Sequence, residues 1–302
     1  DDTLSATVEV ANYAAAELKN SVVTARLRDE NRKVLFSWKF KGDLPVGHTL
    51  LGELNWTLSA ITKATRLNLE YEIEGTSYIN DWDVWVYPAK LPVPGGDVYY
   101  TTELDDKAKA ILARGGKVFL NAAGKVVKGK EVVQHFLPVF WNTSWFKMRP
   151  PHTLGITLDP QHPAFKDFPT SYHSELQWWE ILNRQQVMVL EDFPANFRPL
   201  VQPIDTWFMN RRLAAIFEAK AGGGKLIVSS SDLSPSDKHG PAAKQLYFSL
   251  INYMNSTEFN PEGELDLAVV ADIFKTPTKQ QFNTFTNDSP DELKPNNNNN
   301  PK

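Results

Sequence analysis

The 302-residue sequence predicts a multi-domain fold in which a β-sandwich of immunoglobulin type is followed by a parallel α/β domain. Apolar and polar residues alternate up to about residue 88, and a segment rich in proline and glycine follows at 91–97. Beyond it, helical periodicity alternates with short apolar runs. We therefore assign residues 1–90 to the sandwich, 91–97 to a linker, 98–275 to the α/β domain and 276–302 to a tail.

Period-two alternation identifies the strands of the first domain. It is clearest at Val8 and Val10, from Val23 to Leu27 and from Leu67 to Ile73. Polar or glycine-containing turns separate these runs, for example at Gly42-Asp43. About seven strands fit before residue 90, which is the number typical of an immunoglobulin-type sandwich.

The last strand of this domain, within 80–88, carries aromatic residues on both faces. Trp82 is predicted to share one face with Val84 and Val86, and Trp85 shares the other with Tyr87. We expect burial on both faces or contact with a neighbouring domain, in preference to stacking on a ligand. Asp81 and Asp83 alternate with these residues, but paired carboxylates need a pocket for acid–base chemistry. We interpret them as strand-edge or turn residues.

In the second domain, residues 105–113 are predicted to form a helix that Gly115-Gly116 ends, before a buried strand at 117–122. The same order predicts a helix at 212–220, a stop at Gly222–Gly224 and a strand at 225–230. This repetition favours a parallel sheet. Further elements are expected as strands at 98–101, 186–190 and 199–204 and as helices at 241–254 and 264–274. The asparagine-rich tail is expected to be disordered.

Composition excludes several kinds of chemistry. The chain has no cysteine, so disulfides, thiolate metal sites and a cysteine nucleophile are ruled out. The formal charge of −4 and the scattered basic residues predict no nucleic-acid partner, and no apolar run is long enough to predict a membrane span. The six histidines form no HExxH motif and no close cluster with carboxylates, so we expect no metal site. We also expect no cofactor.

Aromatic, amide and guanidinium side chains concentrate in three segments of the second domain. Such groups suit sugar recognition, because flat rings stack on sugar C–H faces while Arg and Asn bind hydroxyls. One segment follows the strand at 199–204, where crevices form in open α/β sheets. The candidate sugar-binding residues are Trp141, Trp145, His173, Trp178, Trp179, Asp205, Trp207, Asn210 and Arg211.

The alternative interpretation of these segments is structural. Asp205 would cap a helix that includes Arg211, and the tryptophans would anchor loops. A second motif, Ser229 to Asp232, follows a buried strand as nucleophilic serines do in some α/β folds. Because GxSxG is absent, we favour a simple turn there.

Three segments carry a family resemblance: NDWDVWVYP at the end of the first domain, and HPAFKDFPTSYHSELQWWEIL and RRLAAIFEAKAGGGKLIVSSSDL in the second. The first resembles the end of a β-sandwich domain in glycoside hydrolase family 2 proteins, the β-galactosidase-like members of Bacteroidetes type such as Bacteroides. The other two resemble a flavodoxin-like, class I glutamine-amidotransferase-like domain, which also occurs as the trimerisation domain of family 42 β-galactosidases. The resemblance covers most of residues 6 to 275.

The resemblance implies a parent enzyme that hydrolyses glycosidic bonds with two glutamates on a (β/α)₈ barrel. This chain lacks room for such a barrel, so no catalytic residue is carried over. The leading hypothesis is therefore a non-catalytic accessory region, whose expected partners are the missing catalytic domain of the same polypeptide and a second copy of the chain. The alternative is a carbohydrate-binding module, and the third hypothesis is a hydrolase in its own right. The resemblance also implies a periplasmic or cell-surface location.

Overall fold

The computed structural model describes residues 2–132, 134, 153–206, 209–234, 236 and 238–279. The chain divides into two compact units, unit 1 at Asp1–Leu91 and unit 2 at Pro92–Lys302. Strands outnumber helices in the described part of both units, so the protein has a β-rich, multi-domain fold. No helix in the described ranges is long and apolar enough to cross a membrane.

Unit 1 contains two antiparallel sheets. In chain order its strands are β1 Thr3–Asn12, β2 Leu18–Arg28, β3 Val34–Leu44, β4 Gly47–Thr57, β5 Thr65–Ile73 and β6 Ile79–Val86. One sheet contains only β1 and β4, and the other has four strands in the order β3-β2-β5-β6. The described part of unit 1 thus has six strands, one fewer than the sequence pattern suggested.

The alternating apolar residues of unit 1 point between its two sheets. Val8 and Leu54 from the two-stranded sheet pack with Leu27, Leu67 and Leu69 from the four-stranded sheet, and all are buried. This agrees with the predicted period-two pattern, which places every second residue on the inner face. Burying these side chains supplies the main favourable free energy of this unit.

The outer face of the four-stranded sheet carries a network of ion pairs. Arg26 lies directly opposite Glu70 in the register of β2 and β5, and its Nη1 is 3.1 Å from Glu70 Oε1 and 2.5 Å from Glu72 Oε2. Arg28 Nη2 is 3.0 Å from the same Glu70 oxygen. The network is half-buried, and these cross-strand pairs fix the register of β2 against β5.

Unit 2 mixes short strands and helices. In chain order its elements are β7 Tyr99–Thr101, α1 Asp106–Ala113, β8 Lys117–Asn121, β9 Thr153–Thr157, a 3₁₀ turn Pro163–Phe165, α2 Trp178–Leu182, β10 Met188–Val189, β11 Gln202–Asp205, β12 Leu213–Ala214, β13 Ile216–Ala221, β14 Gly224–Ser229, α3 Pro241–Asn255, β15 Glu264–Leu265 and α4 Leu267–Asp272. Its main sheet has the order β15-β13-β14-β8-β7. In that sheet β7, β8 and β14 are mutually parallel.

Local signals explain where the helices of unit 2 begin and end. The Asp105 carboxylate accepts a hydrogen bond from the Ala108 backbone N–H at 2.6 Å, so it caps α1. At the other end Gly115, with φ +80°, donates its N–H to Leu112 O. Pro241 stands at the first position of α3, where its missing N–H costs no helical hydrogen bond. The predicted helices at 105–113 and 241–254 are confirmed.

The predicted helix at 212–220 is wrong. The segment forms β12 and most of β13, with Phe217 and Ala219 buried in the core and Glu218 on the opposite face. Gly222 and Gly223, at φ +60° and +95°, then form a tight turn that returns the chain as β14 antiparallel to β13. The apolar residues of this segment fit both helical and alternating spacing, so periodicity does not decide between a helix and a strand. The glycines that follow form the hairpin turn and do not end a helix.

Other boundaries also differ from the prediction. The helix expected at 264–274 is divided into β15 and α4, because Asp266 caps α4 by accepting from Ala268 N–H at 2.8 Å. The strand expected at 186–190 is reduced to β10, and that expected at 199–204 is shifted to β11. These strands are short because β10 pairs only with β12 and β11 with β9, outside the main sheet.

A buried lysine joins three separate parts of unit 2. Lys128 is almost completely buried, and its ammonium contacts Asp192, lies 2.5 Å from Asp272 Oδ2 and lies 3.5 Å from Glu191 Oε1. Hydrogen bonds from this ammonium lower the pKa of both Asp192 and Asp272. Lys128 therefore ties the loop after β8 to the loop after β10 and to the end of α4.

Substitution Lys128→Met is expected to lower the free energy of unfolding by about 3 kcal/mol, because three clustered carboxylates lose their cation. Urea denaturation followed by circular dichroism measures the change. Lys130→Met, at an exposed position nearby, is the control and is expected to alter stability by less than about 0.5 kcal/mol. Equal stabilities for Lys128→Met and the unsubstituted protein would contradict this role.

Candidate functional site

Three of the predicted sugar-binding residues, Trp141, Trp145 and Trp207, lie outside the described residues. The other six lie in unit 2. His173 and Trp179 are exposed, whereas Trp178 and Asp205 are buried. Asn210 is exposed and Arg211 is partly buried. The six described residues therefore differ in their access to solvent.

Trp178 is a core residue. Its ring is fully buried and packs edge-on against Phe168 at 5.3 Å and Phe165 at 6.5 Å between ring centroids. Its indole N–H donates to Thr170 Oγ1 at 2.9 Å. No face of this ring is left for a sugar, so its assignment as a stacking residue is corrected. Adjacent residues of a short helix point in different directions, so only one of Trp178 and Trp179 faces the core. Which of the two it is depends on the residues that pack against the helix, and the sequence does not show this.

An exposed aromatic cluster surrounds α2. Trp179 is 45% exposed and Tyr172 65%, and the Tyr172 ring meets the His173 ring edge-on at a centroid distance of 4.8 Å. Leu176 is exposed beside them in the sequence. We call these four residues the α2 aromatic cluster. Of the four, His173 and Trp179 belong to the predicted sugar site, and Asn210 is a further exposed residue of that prediction.

Asp205 and Arg211 form a loop clamp. The buried Asp205 carboxylate accepts hydrogen bonds from Arg211 backbone N–H at 2.7 Å, Nε at 2.8 Å and Nη2 at 3.1 Å, and from Thr206 N–H at 2.9 Å. Arg211 Nη1 also lies 3.4 Å from Glu131 Oε1. Arg211 is not in a helix, so the expectation that Asp205 caps one is corrected: Asp205 instead closes the turn after β11, in which Asn210 has φ +49°.

The clamp and the α2 aromatic cluster are separate places. Asp205 pairs with Thr153 at one end of β9, while His173 forms a bridge with Thr157 at the other end. Four residues of extended chain separate the two positions by about 13 Å. The structure thus does not combine Asp205 and Arg211 with Trp179 and His173 into a single small pocket.

The serines after β14 are used by the fold. Ser229 Oγ donates to Ser231 O at 2.8 Å, and Ser230 Oγ donates to Gln186 O at 2.8 Å. These hydrogen bonds stabilise the chain where the sequence predicted a simple turn, and both serines are completely buried. Sequence analysis did not identify Ser234, whose Oγ lies 2.8 Å from His239 Nε2.

Ser234 and His239 do not form a catalytic triad. Asp232 Oδ1 lies 3.6 Å from the same ring nitrogen, Nε2, that contacts Ser234. A triad needs the serine and the carboxylate on opposite ring nitrogens, so that one accepts the proton while the other holds the ring. Asp232 Oδ1 is instead held by Asn121 Nδ2 at 2.8 Å. The arrangement is a hydrogen-bonded loop at the carboxyl ends of β8 and β14.

Glu218 is the titratable group with the most unusual surroundings. It lies in the middle of β13, near Tyr253 of α3, and His162 Nε2 is 3.9 Å from its Oε1. Burial raises the pKa of Glu218 to about 7 and lowers the pKa of His162. Burial also raises the pKa of Tyr253. Nearby Glu262 raises the pKa of Glu218 further, while Tyr253 and Lys225 act in the opposite direction.

These surroundings predict a pH-dependent stability. Between pH about 4.5 and about 7 the folded state keeps a proton on Glu218 that the unfolded state releases, so stability falls as pH rises through this window. Glu218→Gln is expected to remove about 2–3 kcal/mol of this fall. Urea denaturation at pH 5 and pH 8 measures it. Glu264→Gln, at an exposed position of β15, serves as the control, and an identical pH dependence in both variants would contradict the assignment.

Unit 1 has a groove of about 750 Å³ between β1 and β6. We define the open groove by six of its lining residues: Val10, Tyr13, Leu69, Tyr71, Tyr78 and Trp82. The floor is Leu69 and Tyr71 of β5, with Val10 of β1 on one side and Trp82 of β6 on the other. Trp82 meets Tyr71 edge-on at 5.8 Å between ring centroids.

Trp82 lies on the inward-facing side of its sheet but is not covered by the opposing sheet. In the register of β5 and β6 it lies opposite Leu69, and Val84 lies opposite Leu67, so the shared face predicted for Trp82, Val84 and Val86 is confirmed. That face points inward, yet Trp82 is 54% exposed. Tyr13 and Tyr78 at the rim are 73% and 57% exposed. The sequence indicated the aromatic face but predicted that it was covered.

Comparison with known proteins gives two family models, each described as a domain of unknown function: DUF8488 over residues 2–88 and DUF8487 over residues 99–275. No curated protein matches the chain. Among solved structures, a β-glucuronidase of Parabacteroides merdae is similar over 41% of this chain, with 15% identity and a TM-score of 0.20. A calcium-binding mutant of Bacteroides uniformis β-glucuronidase 2 is similar over 39%, with 13% identity and a TM-score of 0.23.

A β-glucuronidase from glycoside hydrolase family 2 is similar over 40% of this chain, with 12% identity and a TM-score of 0.22. The similar regions span 19%, 18% and 16% of the three glucuronidase chains, so this chain accounts for less than a fifth of their length. Residues 99–275 amount to more than half of the sequence, and on that match the chain belongs to the family described as domain of unknown function DUF8487.

Proposed function

We propose that this chain is a non-catalytic accessory region of a carbohydrate-degrading protein, and that it supports a glycoside hydrolase domain through contact of unit 1 with another folded part. The observation that carries this proposal is the open groove. It places inward-facing apolar side chains of a sheet at the protein surface, with Trp82 half exposed. A contiguous exposed apolar area of this kind is typical of a protein interaction site.

The chemistry of the described residues supports the same proposal. The polar groups first considered as a site are held by the fold: Asp205 by Arg211, Ser229 and Ser230 by backbone carbonyls, and Asp232 by Asn121. Asp81 and Asp83 of β6 both accept from Asn68 Nδ2, at 2.7 and 3.2 Å, on an exposed face. Asp81 and Asp83 are exposed on the surface of the sheet, so they do not enclose a glycosidic bond between them.

The accessory proposal includes the finer assignments of fold and location. The two packed sheets of unit 1 support an immunoglobulin-like sandwich, and parallel β7, β8 and β14 with α1 and α3 support a flavodoxin-like, amidotransferase-like domain. We propose that the partner is the catalytic domain of a longer polypeptide of Bacteroides type in the periplasm or at the cell surface. Association of a second copy through the same surfaces belongs to this proposal.

Hydrolysis assays on the purified chain test the accessory role. Chromogenic β-galactosides and β-glucuronides and a set of plant and host oligosaccharides are incubated with the chain, and tryptophan fluorescence is recorded in parallel. We expect no turnover of any glycoside, because the carboxylates first considered as a site, Asp81, Asp83 and Asp205, are hydrogen-bonded within the fold. Turnover proportional to chain concentration would overturn the proposal.

The α2 aromatic cluster supports a second candidate function, carbohydrate binding by unit 2. The exposed Tyr172 ring lies beside the imidazole of His173, and the Trp179 ring of α2 is also exposed; such groups suit stacking on a sugar and bonding to its hydroxyls.

If unit 2 binds a sugar in this way, saturable fluorescence quenching is expected and Trp179→Ala is expected to weaken binding at least tenfold, because a stacking ring is lost. Tyr13→Ala, which removes an exposed aromatic ring from unit 1, is the control and is expected to leave the affinity unchanged. Absence of quenching by every sugar tested would remove this second candidate.

A further inference from the structure

We propose that the open groove binds an additional β-strand, which pairs with the free edge of β1 and covers Trp82 of the opposing sheet. The occupant is an extended segment of the catalytic protein that this region supports, with apolar side chains at alternate positions and a Lys or Arg near one end. This inference rests on the proposed accessory function and specifies how the contact is made.

The first argument is the difference in width between the two sheets of unit 1. Strands lie about 4.8 Å apart within a sheet, so the pair β1 and β4 covers about half the width of four strands. The order β3-β2-β5-β6 places β6 at an edge of the wider sheet. Trp82, on its inner face, is consequently uncovered, and one more strand beside β1 would lie over it.

The second argument is that the strands on both sides of the groove have a free edge in the described structure. β1 forms a ladder with β4 alone, and β6 forms a ladder with β5 alone. Each therefore presents a row of backbone N–H and C=O groups that an extended chain can pair with. The first five residues of β6 are exposed, whereas its last residue, Val86, is buried. The uncovered part thus corresponds to roughly five residues, the length of an ordinary strand.

The third argument is the chemistry of the lining. Apolar side chains of Val10, Leu69 and Tyr71 form the floor, which suits alternate apolar residues of an incoming strand. Of the described residues that line the groove, only Glu9 and Glu72 are charged, and none is cationic. Glu72 is already ion-paired with Arg26, whereas Glu9 lies at the exposed rim. A cationic residue at one end of the strand would complement it.

The lining suits a polypeptide better than a sugar. Sugar sites surround a stacking ring with side-chain hydrogen-bonding groups. Here the Asn12 amide is used by the backbone of the unit, since its Nδ2 donates to Leu44 O at 2.9 Å and to Ala16 O at 3.2 Å. Side chains such as Ser77, Asn80 and Tyr78 also line the groove, but only an extended polypeptide can use the row of backbone N–H and C=O groups at the edge of β1 as well.

Selection from a phage-displayed library of random nine-residue peptides against the full chain tests the proposal. Selected peptides are synthesised, and their affinities are measured by fluorescence anisotropy. We expect apolar residues at alternate positions, a Lys or Arg near one end and micromolar dissociation constants. Trp82→Lys, at an exposed position of the groove, is expected to weaken binding at least tenfold. Tyr172→Lys, at an exposed aromatic position of unit 2, is the matched control and is expected to leave affinity unchanged.

Two further measurements address the geometry of binding. Proline at the central position of a selected peptide is expected to abolish binding, because it removes a ladder hydrogen bond. Saturating peptide is expected to slow hydrogen exchange of backbone amides in β1. Selected peptides without alternation, equal affinity for Trp82→Lys, or tolerance of the central proline would each overturn the proposal, as would competition by oligosaccharides for the groove. Glycoside turnover would contradict the accessory function alone, since a hydrolytic chain could still bind a strand.

Discussion

Two sheets of unequal width determine the form of unit 1. A two-stranded layer can cover only part of a four-stranded one, and the hydrophobic effect decides which part. Leu27, Leu67 and Val8 lie where the layers overlap and are buried. Trp82 and Tyr78 lie where the overlap ends and are exposed. The core, the open groove and the free strand edges thus have one common cause, and the interaction proposed for this region follows from it.

In unit 2 the corresponding constraint is the position of β14. It pairs with β13 on one side and β8 on the other, so it joins the antiparallel and parallel parts of the main sheet. Gly222 and Gly223 make the hairpin possible, because both adopt positive φ values that other residues rarely adopt. The loops beyond this sheet are joined by charged groups, Lys128 with its carboxylates and Arg211 with Asp205.

The same geometry explains why polar residues with catalytic potential have other roles in this chain. A carboxylate that accepts four hydrogen bonds, as Asp205 does, stabilises a turn and has little capacity left for a substrate. Ser234 and His239 are at hydrogen-bonding distance, but Asp232 approaches the wrong ring nitrogen. What remains available is aromatic surface, at the open groove in unit 1 and at the α2 aromatic cluster in unit 2. Both suit binding and neither supplies a nucleophile.

The sequence by itself determined β1, β2, β5 and β6 of unit 1, the helices α1 and α3 and the buried strands β8 and β14, whereas Gly42-Asp43, predicted as a turn, lies within β3. Each depends on local periodicity, a capping residue such as Asp105 or a stop such as Gly115, and these act within a few residues. It also placed Trp82 on the face of Val84 and Val86. Whether that face is covered depends on how many strands the opposing sheet contains, and the periodicity of one strand carries no information about that number.

Only the tertiary structure decided that the segment 212–220 is extended. Its sequence fits both alternating and helical spacing, and hydrogen bonding to β14 favours the strand. It also separated Trp178 from its neighbour Trp179, since one ring packs on Phe168 and the other reaches solvent. Asp205 was placed correctly near the end of a strand, but its partner was an arginine six residues later and not a helix. Burial and pairing are properties of contacts between distant segments, so they could not be inferred from either segment alone.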